Sequence, residues 1–355
     1  MQIDMHYFGT YALARSAGIP PEQSQIIAHS AQYVDDAVED IPGLLASESF
    51  YLPIMTSHKP LDYQNMVPGT DHWRVWVCFH FLPGNSGETI YERMVCQKGE
   101  AGNSIARSML DFVLANKNEP FGLHLAGIAA HVFEDTFAHY GFSGIASDLN
   151  AVHQSSIRIR QTETEDIVDY VWGKAKHMWR KIMASGAEVS RLGHGGVATL
   201  PDRPYLSWEY EYEQAGLGGV QRNNQEDYLE ACRLLQAFFA ELKEENRHMD
   251  GAIEAVHFDD MEEPIRTLIQ QENSKEVRSK HWKKAIQEGN LFPSLDGDAG
   301  CNYEQTSWDF TTLCGKPFEG RSLEEEHACL FMTAARAFRS FIMEDVLRRH
   351  ELAYF

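Results

Sequence analysis

The sequence is poor in cysteine, and the few it has are scattered. Six occur in 355 residues, at Cys78, Cys96, Cys232, Cys301, Cys314 and Cys329, with no CxxC pair. A thiolate zinc site and a thioredoxin-like motif are therefore not indicated. Nor do six cysteines make a disulfide framework in a chain of this length. Cys301 and Cys314 could close a loop in an oxidising compartment, but reduced thiols in a cytoplasmic protein are the expectation. Long apolar runs are missing too: none approaches the roughly 18–20 residues that span a bilayer, so no integral membrane part is expected. The opening MQIDMHYFGTYALARSAG has no basic segment leading into an apolar one. No signal peptide is read there, though an already processed chain would look the same.

Positive charge is in short supply. Against 52 Asp+Glu stand 31 Lys+Arg, a net charge of -21. Such a field repels polyanions and opposes a grip on long nucleic acid, which needs clustered Lys and Arg. It also disfavours anionic membranes, and no basic amphipathic helix is visible. A small phosphorylated substrate remains compatible, because bound cations reverse the local potential. P-loop, GxSxG and helix-opening GxGxxG motifs are absent, which removes nucleotide-fold and serine-hydrolase readings.

What is present is ordinary for a globular protein: 43% hydrophobic and 23% charged residues. Without a clear linker, residues 1–355 read as a single domain, with a metal-site region over 1–215 and a C-terminal helical part over 223–355. The class is mainly α. Helical periodicity covers about 4–17, 21–38, 101–115, 120–140, 162–191, 225–247, 259–271, 274–288 and 323–350. Residues 40–100, 197–222 and 290–322 read as long irregular loops, with one extended run at Trp73–Leu82.

The chemistry concentrates in GLHLAGIAAHVFEDTFAHYGFSG, residues 122–144. At about 100° per residue, His131, Asp135 and His139 fall near 0°, 40° and 80°, on one stripe, with His124 near 20° and Glu134 off it near 300°. Leu125, Ala126, Ile128, Ala129, Val132 and Phe133 mark the helix as buried. Burying two imidazoles and a carboxylate uncompensated is costly. A divalent ion supplies the compensation, and His and carboxylate ligands one turn apart suit it. The plainer reading is a hydrogen-bonded polar network.

Other candidates are spread along the chain. Asp4 and His6 open the first helix. Asp35 and Asp36 end the second, where Asp36 shares a face with His29. His80, or less strongly His72, lies in or beside RVWVCFHFLPG, where His80 would share a strand face with Trp76 and Cys78. His194 sits between glycines in LGHGGVATLPDRPYLSW, followed by Asp202 and by Arg203, which suits a substrate anion. His153 is a weaker candidate. His58, His177, His248, His257, His281, His327 and His350 read as surface residues.

HVFEDTFAHYGFSG resembles the zinc-dependent phospholipase C and S1/P1 nuclease superfamily, whose helix carries a His, an Asp one turn on, and a further His. With DMHYFGTYALARSAG, AHSAQYVDDAVED, FHFLPG and GHGGVATLPDRPYLSW, most of residues 1–215 resembles a group of bacterial proteins related to that superfamily. The resemblance implies an α-helical fold and a three-zinc cluster that cleaves phosphate esters. It implies ligands in the order N-terminal amine, early His, Asp, His, the helix triple, then a later His and carboxylate. On this chain His6 matches the early His, with Asp4 standing in for the amine. Asp35 or Asp36 matches the Asp, and His80 or His72 the next His. His131, Asp135 and His139 match the triple, and His194 with Asp202, or else His153, the last pair. His139 follows Asp135 by four residues where the family usually has six, so one or two ions stand beside three. The implied activity is metal-dependent hydrolysis of a phosphate ester by metal-activated water. Zinc is the expected ion, with iron and manganese as alternatives. Asp135 would bridge the ions, with His194 and Arg203 at the substrate. The competing reading is a non-catalytic protein whose ion holds the helices together. An HD-type phosphohydrolase would need a His-Asp dipeptide, which the chain lacks.

Overall fold

The structure is a computed structural model. It describes residues 1–39, 42–44, 50–58, 73–100, 102–145, 147–160, 162, 164–184, 194–214, 218–308 and 325–353, with backbone only at 44, 149 and 194. His72 and Cys314 lie outside the described residues, and so does the His194 side chain.

The fold is mainly helical. A π-helical turn, Asp4–Gly9, runs directly into α1 (Thr10–Ser16). Next come α2 (Pro21–Asp36), α3 (Trp73–Phe79), the short α4 (Ile90–Arg93), α5 (Ser104–Ala115) and α6 (Gly122–His139). The second half holds α7 (Glu165–Ala184), the short α8 (His194–Val197), α9 (Asn224–Lys243), α10 (Phe258–Ile269), α11 (Lys275–Gln287) and α12 (His327–Ser340). No described helix is long and apolar enough to cross a membrane. The described cysteines Cys78, Cys96, Cys232, Cys301 and Cys329 are all free thiols.

Every residue of α6 is buried. A helix that is apolar on all sides has to run through the middle of a fold, and its few polar side chains go in with it. α6 packs on α2, α9, α12 and α5. Its closest approach is to α2 at Gly127, where a Cβ would stand 2.2 Å from Ile27 O and 2.4 Å from Ser30 Cβ. Only glycine lets the two backbones come this near. That approach brings the Ala31 carbonyl within 2.8 Å of His131 Nδ1.

Two expectations fail here. Trp73–Phe79 is a helix, not an extended run. Its alternating apolar residues are buried at Val75, Val77, Cys78 and Phe79, and a short run buried on several sides has no period that separates strand from helix. A short antiparallel pair, β1 (Gly43–Leu44) and β2 (Phe50–Tyr51), lies within 40–100, and the loop-like stretch 197–222 contains β4 (Ser207–Glu211) and most of β5 (Gly219–Asn223). With β3 (Arg158–Arg160), β4 and β5 form a three-stranded antiparallel sheet in the order β3-β4-β5. In it Trp208 pairs with Arg222.

The sheet matters to α6 because it supplies the cap of that helix. Arg222 is 2% exposed and donates to the carbonyls of Phe137 (3.2 Å), Ala138 (2.9 Å) and Tyr140 (3.1 Å). Its guanidinium stacks 3.5 Å from the Tyr140 ring. Carbonyls at a helix C-terminus have no partners within the helix and carry partial negative charge, so a buried cation there satisfies both needs. The cap fixes the turn that carries His139.

Candidate metal centre

Asp135 is the centre of the cluster and is 1% exposed. Its Oδ2 lies 3.1 Å from His80 Nδ1, 3.2 Å from His131 Nε2 and 3.5 Å from His139 Nδ1. Its Oδ1 lies 2.5 Å from the Met1 α-amino nitrogen and 3.4 Å from His6 Nε2. Asp202 Oδ1 closes that side, 3.5 Å from the Met1 nitrogen and 3.8 Å from His139 Nε2. Asp35 Oδ1 stands 4.0 Å from His131 Nε2. Two triples, His6 with Asp35 and His131, and His80 with His131 and Asp135, each place their ligand atoms within 4.8 Å of one another.

The outer nitrogens say which way the inner ones are poised. His131 Nδ1 is 2.8 Å from Ala31 O, His80 Nε2 is 2.9 Å from Thr56 O, and His139 Nδ1 is 2.8 Å from His80 O. A carbonyl oxygen only accepts, so each of these nitrogens carries the proton and donates it. His6 Nδ1 likewise donates to Glu134 Oε2 at 2.7 Å, and Thr10 Oγ1 donates to Glu134 Oε1 at 2.7 Å. In neutral rings the opposite nitrogens are then lone pairs turned toward the carboxylates. His131 Nε2 and His80 Nδ1 face each other at 3.2 Å. Among the described residues, buried His6 Nε2 has no hydrogen-bond partner. Lone pairs crowded on a carboxylate repel unless protons or a cation lie between them. Histidines tied back by carbonyls and carboxylates are the arrangement that orients metal ligands.

Without a cation, protons do the balancing. Burial opposes ionisation of Asp135, but His139, the Met1 amine and His131 hold its carboxyl well below the usual carboxylate range. Burial disfavours the charged Met1 amine, yet Asp135, Asp202 and Asp35 raise it to about 11. Burial and the Met1 amine lower His6, but the neighbouring Asp135 and Glu134 carboxylates outweigh them and raise it to about 9. His131 is pushed down to about 4 by burial and by the nearby His6. The donor set, imidazole and carboxylate without thiolate, fits zinc and also the harder divalent ions iron and manganese.

The cluster thus brings together His6, Asp35, His80, His131, Asp135, His139 and Asp202 from the expected set. Of the two neighbouring acids it takes Asp35, while Asp36 accepts from Tyr303 Oη at 2.6 Å and Gln32 Nε2 at 3.2 Å. Asp4 is engaged elsewhere, with both oxygens accepting from Arg278 at 2.7 and 3.0 Å. Arg203 is 3% exposed and turns its guanidinium to Thr199 Oγ1 (3.1 Å) and Tyr205 Oη (3.3 Å). His153 is exposed. Two participants escaped the sequence reading: Glu134, which the helical wheel placed off the stripe, and Met1, for which Asp4 was the expected substitute. A fully buried acid inside an apolar helix was the available signal for Glu134.

Fold and donors together define a mainly helical protein with a carboxylate-centred cluster of buried imidazoles. The chain belongs to a family described as a family of unknown function, DUF6765, which matches residues 1–346. No curated protein and no solved structure matches it.

Proposed function

We propose that the chain is a metal-dependent hydrolase of small phosphate esters, with zinc-type ions held by the Asp135 cluster. The observation that supports this reading is the crown of inward nitrogens of His6, His80 and His131 around the Asp135 carboxylate, each of these rings tied back through its other nitrogen. The resemblance to the zinc-dependent phospholipase C and S1/P1 nuclease superfamily points the same way. Divalent ions held by His6, Asp35, His80, His131 and Asp135 would polarise a phosphoryl group and would supply a water-derived nucleophile at neutral pH.

The chain's own residues would divide the work. Asp135 offers one oxygen to the His80 and His131 side and the other to the His6 side, which suits a bridging ligand. Glu134 and Thr10 hold the His6 ring so that Nε2 faces inward. Asp202 and His139 form a third bay. Asp35, with its side chain 34% exposed, is the most open of these donors, and substrate would arrive past it.

A second reading, an ion that only holds the helices together, draws on the burial of the other donors, whose side chains are at most 9% exposed. Hydrolysis of phosphodiester, phosphomonoester and phospholipid substrates by the metal-loaded protein, compared with Asp135→Asn, separates the two. Activity in the wild type and loss in the variant support the hydrolase. A metal-loaded, stable protein inactive on the whole panel supports the structural role.

A further inference from the structure

Asp35 reaches the Asp135 cluster from the last turn of α2, which ends at Asp36. At such an end the helix stops bonding to itself, because its last carbonyls find no amide ahead of them. Where those carbonyls go decides how firmly Asp35 is aimed. Two of them meet one buried residue, Thr56. The Thr56 hydroxyl donates to Val34 O at 2.7 Å, and the Thr56 backbone N–H donates to Ala37 O at 2.9 Å. The Thr56 carbonyl turns the other way and accepts from His80 Nε2 at 2.9 Å.

Thr56 therefore stands between two donors of the cluster that lie far apart in sequence. The chain of contacts runs on from there, since the His80 carbonyl accepts from His139 Nδ1 at 2.8 Å. The end of α2 is thus tied to His80, and His80 to the end of α6, without a covalent link between them. Any residue could supply the two backbone bonds of Thr56. Only the hydroxyl is specific to it, and it meets the carbonyl of Val34, itself 0% exposed. A methyl in its place would leave that carbonyl without its donor. The neighbouring Asp36 is held separately, by Tyr303 and Gln32.

We propose that Thr56 is a positioning residue of the metal centre: its hydroxyl, by capping Val34 O, fixes Asp35 at the spacing from His131 and His80 that bound ions require. The inference rests on the metal-centre reading and not on phosphate-ester hydrolysis. Thr56 acts only through the donors, as groups that orient metal ligands do. Asp35 belongs to the triple with His6 and His131, and His80 to the triple with His131 and Asp135. Each triple therefore has one donor leaning on Thr56.

The test is chelator competition for Zn²⁺ on the full chain, with urea unfolding of the metal-free forms read beside it. Thr56→Val keeps the shape and loses the hydroxyl, so its affinity should fall about 10–100-fold. Thr56→Ser keeps the hydroxyl and should stay close to wild type. Thr56→Ala carries the same expectation as the valine variant should that one fail to fold. In an Asp35→Asn background, Thr56→Val should reduce affinity by a smaller factor, because the donor it aims is already gone. A wild type that binds no divalent ion overturns the metal centre and this inference with it. Wild-type affinity in Thr56→Val, whatever its metal-free stability, overturns this inference alone. An equal loss of affinity with and without Asp35 does so too.

Discussion

In the second half of α6, His131 and His139 meet the carboxylates of Asp135, Asp202 and Asp35. In its first turn, among the described residues, His124 meets other rings: His327, Trp308 and, through the indole, His29. The helix is equally buried at both ends. What differs is the charge that surrounds the imidazoles. At the carboxylate-rich end, protons on His6 and Met1 stand in for a cation when none is bound. At the other end burial, with the neighbouring imidazoles, lowers His29 and His124, and the rings stay neutral. Equal burial thus surrounds imidazoles with carboxylates at one end of the helix and with other rings at the other.

The sharpest way to break this contrast is to remove its acidic centre. Asp135→Ala should lose the resident metal and destabilise the fold by more than about 3 kcal/mol, because it strands several buried donors at once. Metal analysis and urea unfolding would show it. Arg222→Met comes next. Loss of the buried cap on the last carbonyls of α6 should cost about 2–3 kcal/mol in urea unfolding and weaken the His139 side of the cluster more than the His124 end. Glu134→Gln is milder for stability. Weaker orientation of His6 should reduce metal affinity about 10–100-fold in a chelator competition.

A pH experiment acts on the other end. Trp308 comes from the segment pinned by Asp298, which accepts from Arg15 Nε at 2.6 Å and Tyr11 Oη at 2.6 Å. Burial opposes its ionisation, but Arg15 and Tyr11 win and lower its pKa below the ordinary 3.8. A depressed folded-state value adds stability above pH 3.8 that is lost as the pH falls through it. Asp298→Asn should therefore be less stable than wild type at pH 5, with the difference narrowing toward pH 3, as read by urea unfolding.

Sequence periodicity reached the stripe His131, Asp135 and His139 because a single helix carries it. It reached His80 as a residue while assigning it to the wrong element, since a seven-residue apolar helix has no diagnostic period. It left Asp35 and Asp36 open, because adjacent residues differ only in what packs around the helix. Glu134 was set aside on its angle from the stripe, yet that angle points at the π-helical turn bearing His6. The sheet was missed where Pro, Gly and Tyr obscure the alternation of β4. His327 read as a surface residue and is exposed; what the sequence left out is its hydrogen-bond partner His124, more than two hundred positions away, a distance no local pattern spans.

The central claim is that the Asp135 cluster is a metal centre. Elemental analysis of the purified protein, beside Asp135→Asn handled identically, tests it most directly. The account predicts at least two equivalents of zinc, iron or manganese per chain in the wild type and their loss in Asp135→Asn. A wild-type protein that is folded and metal-free, and gains no stability from any of these ions, would contradict it.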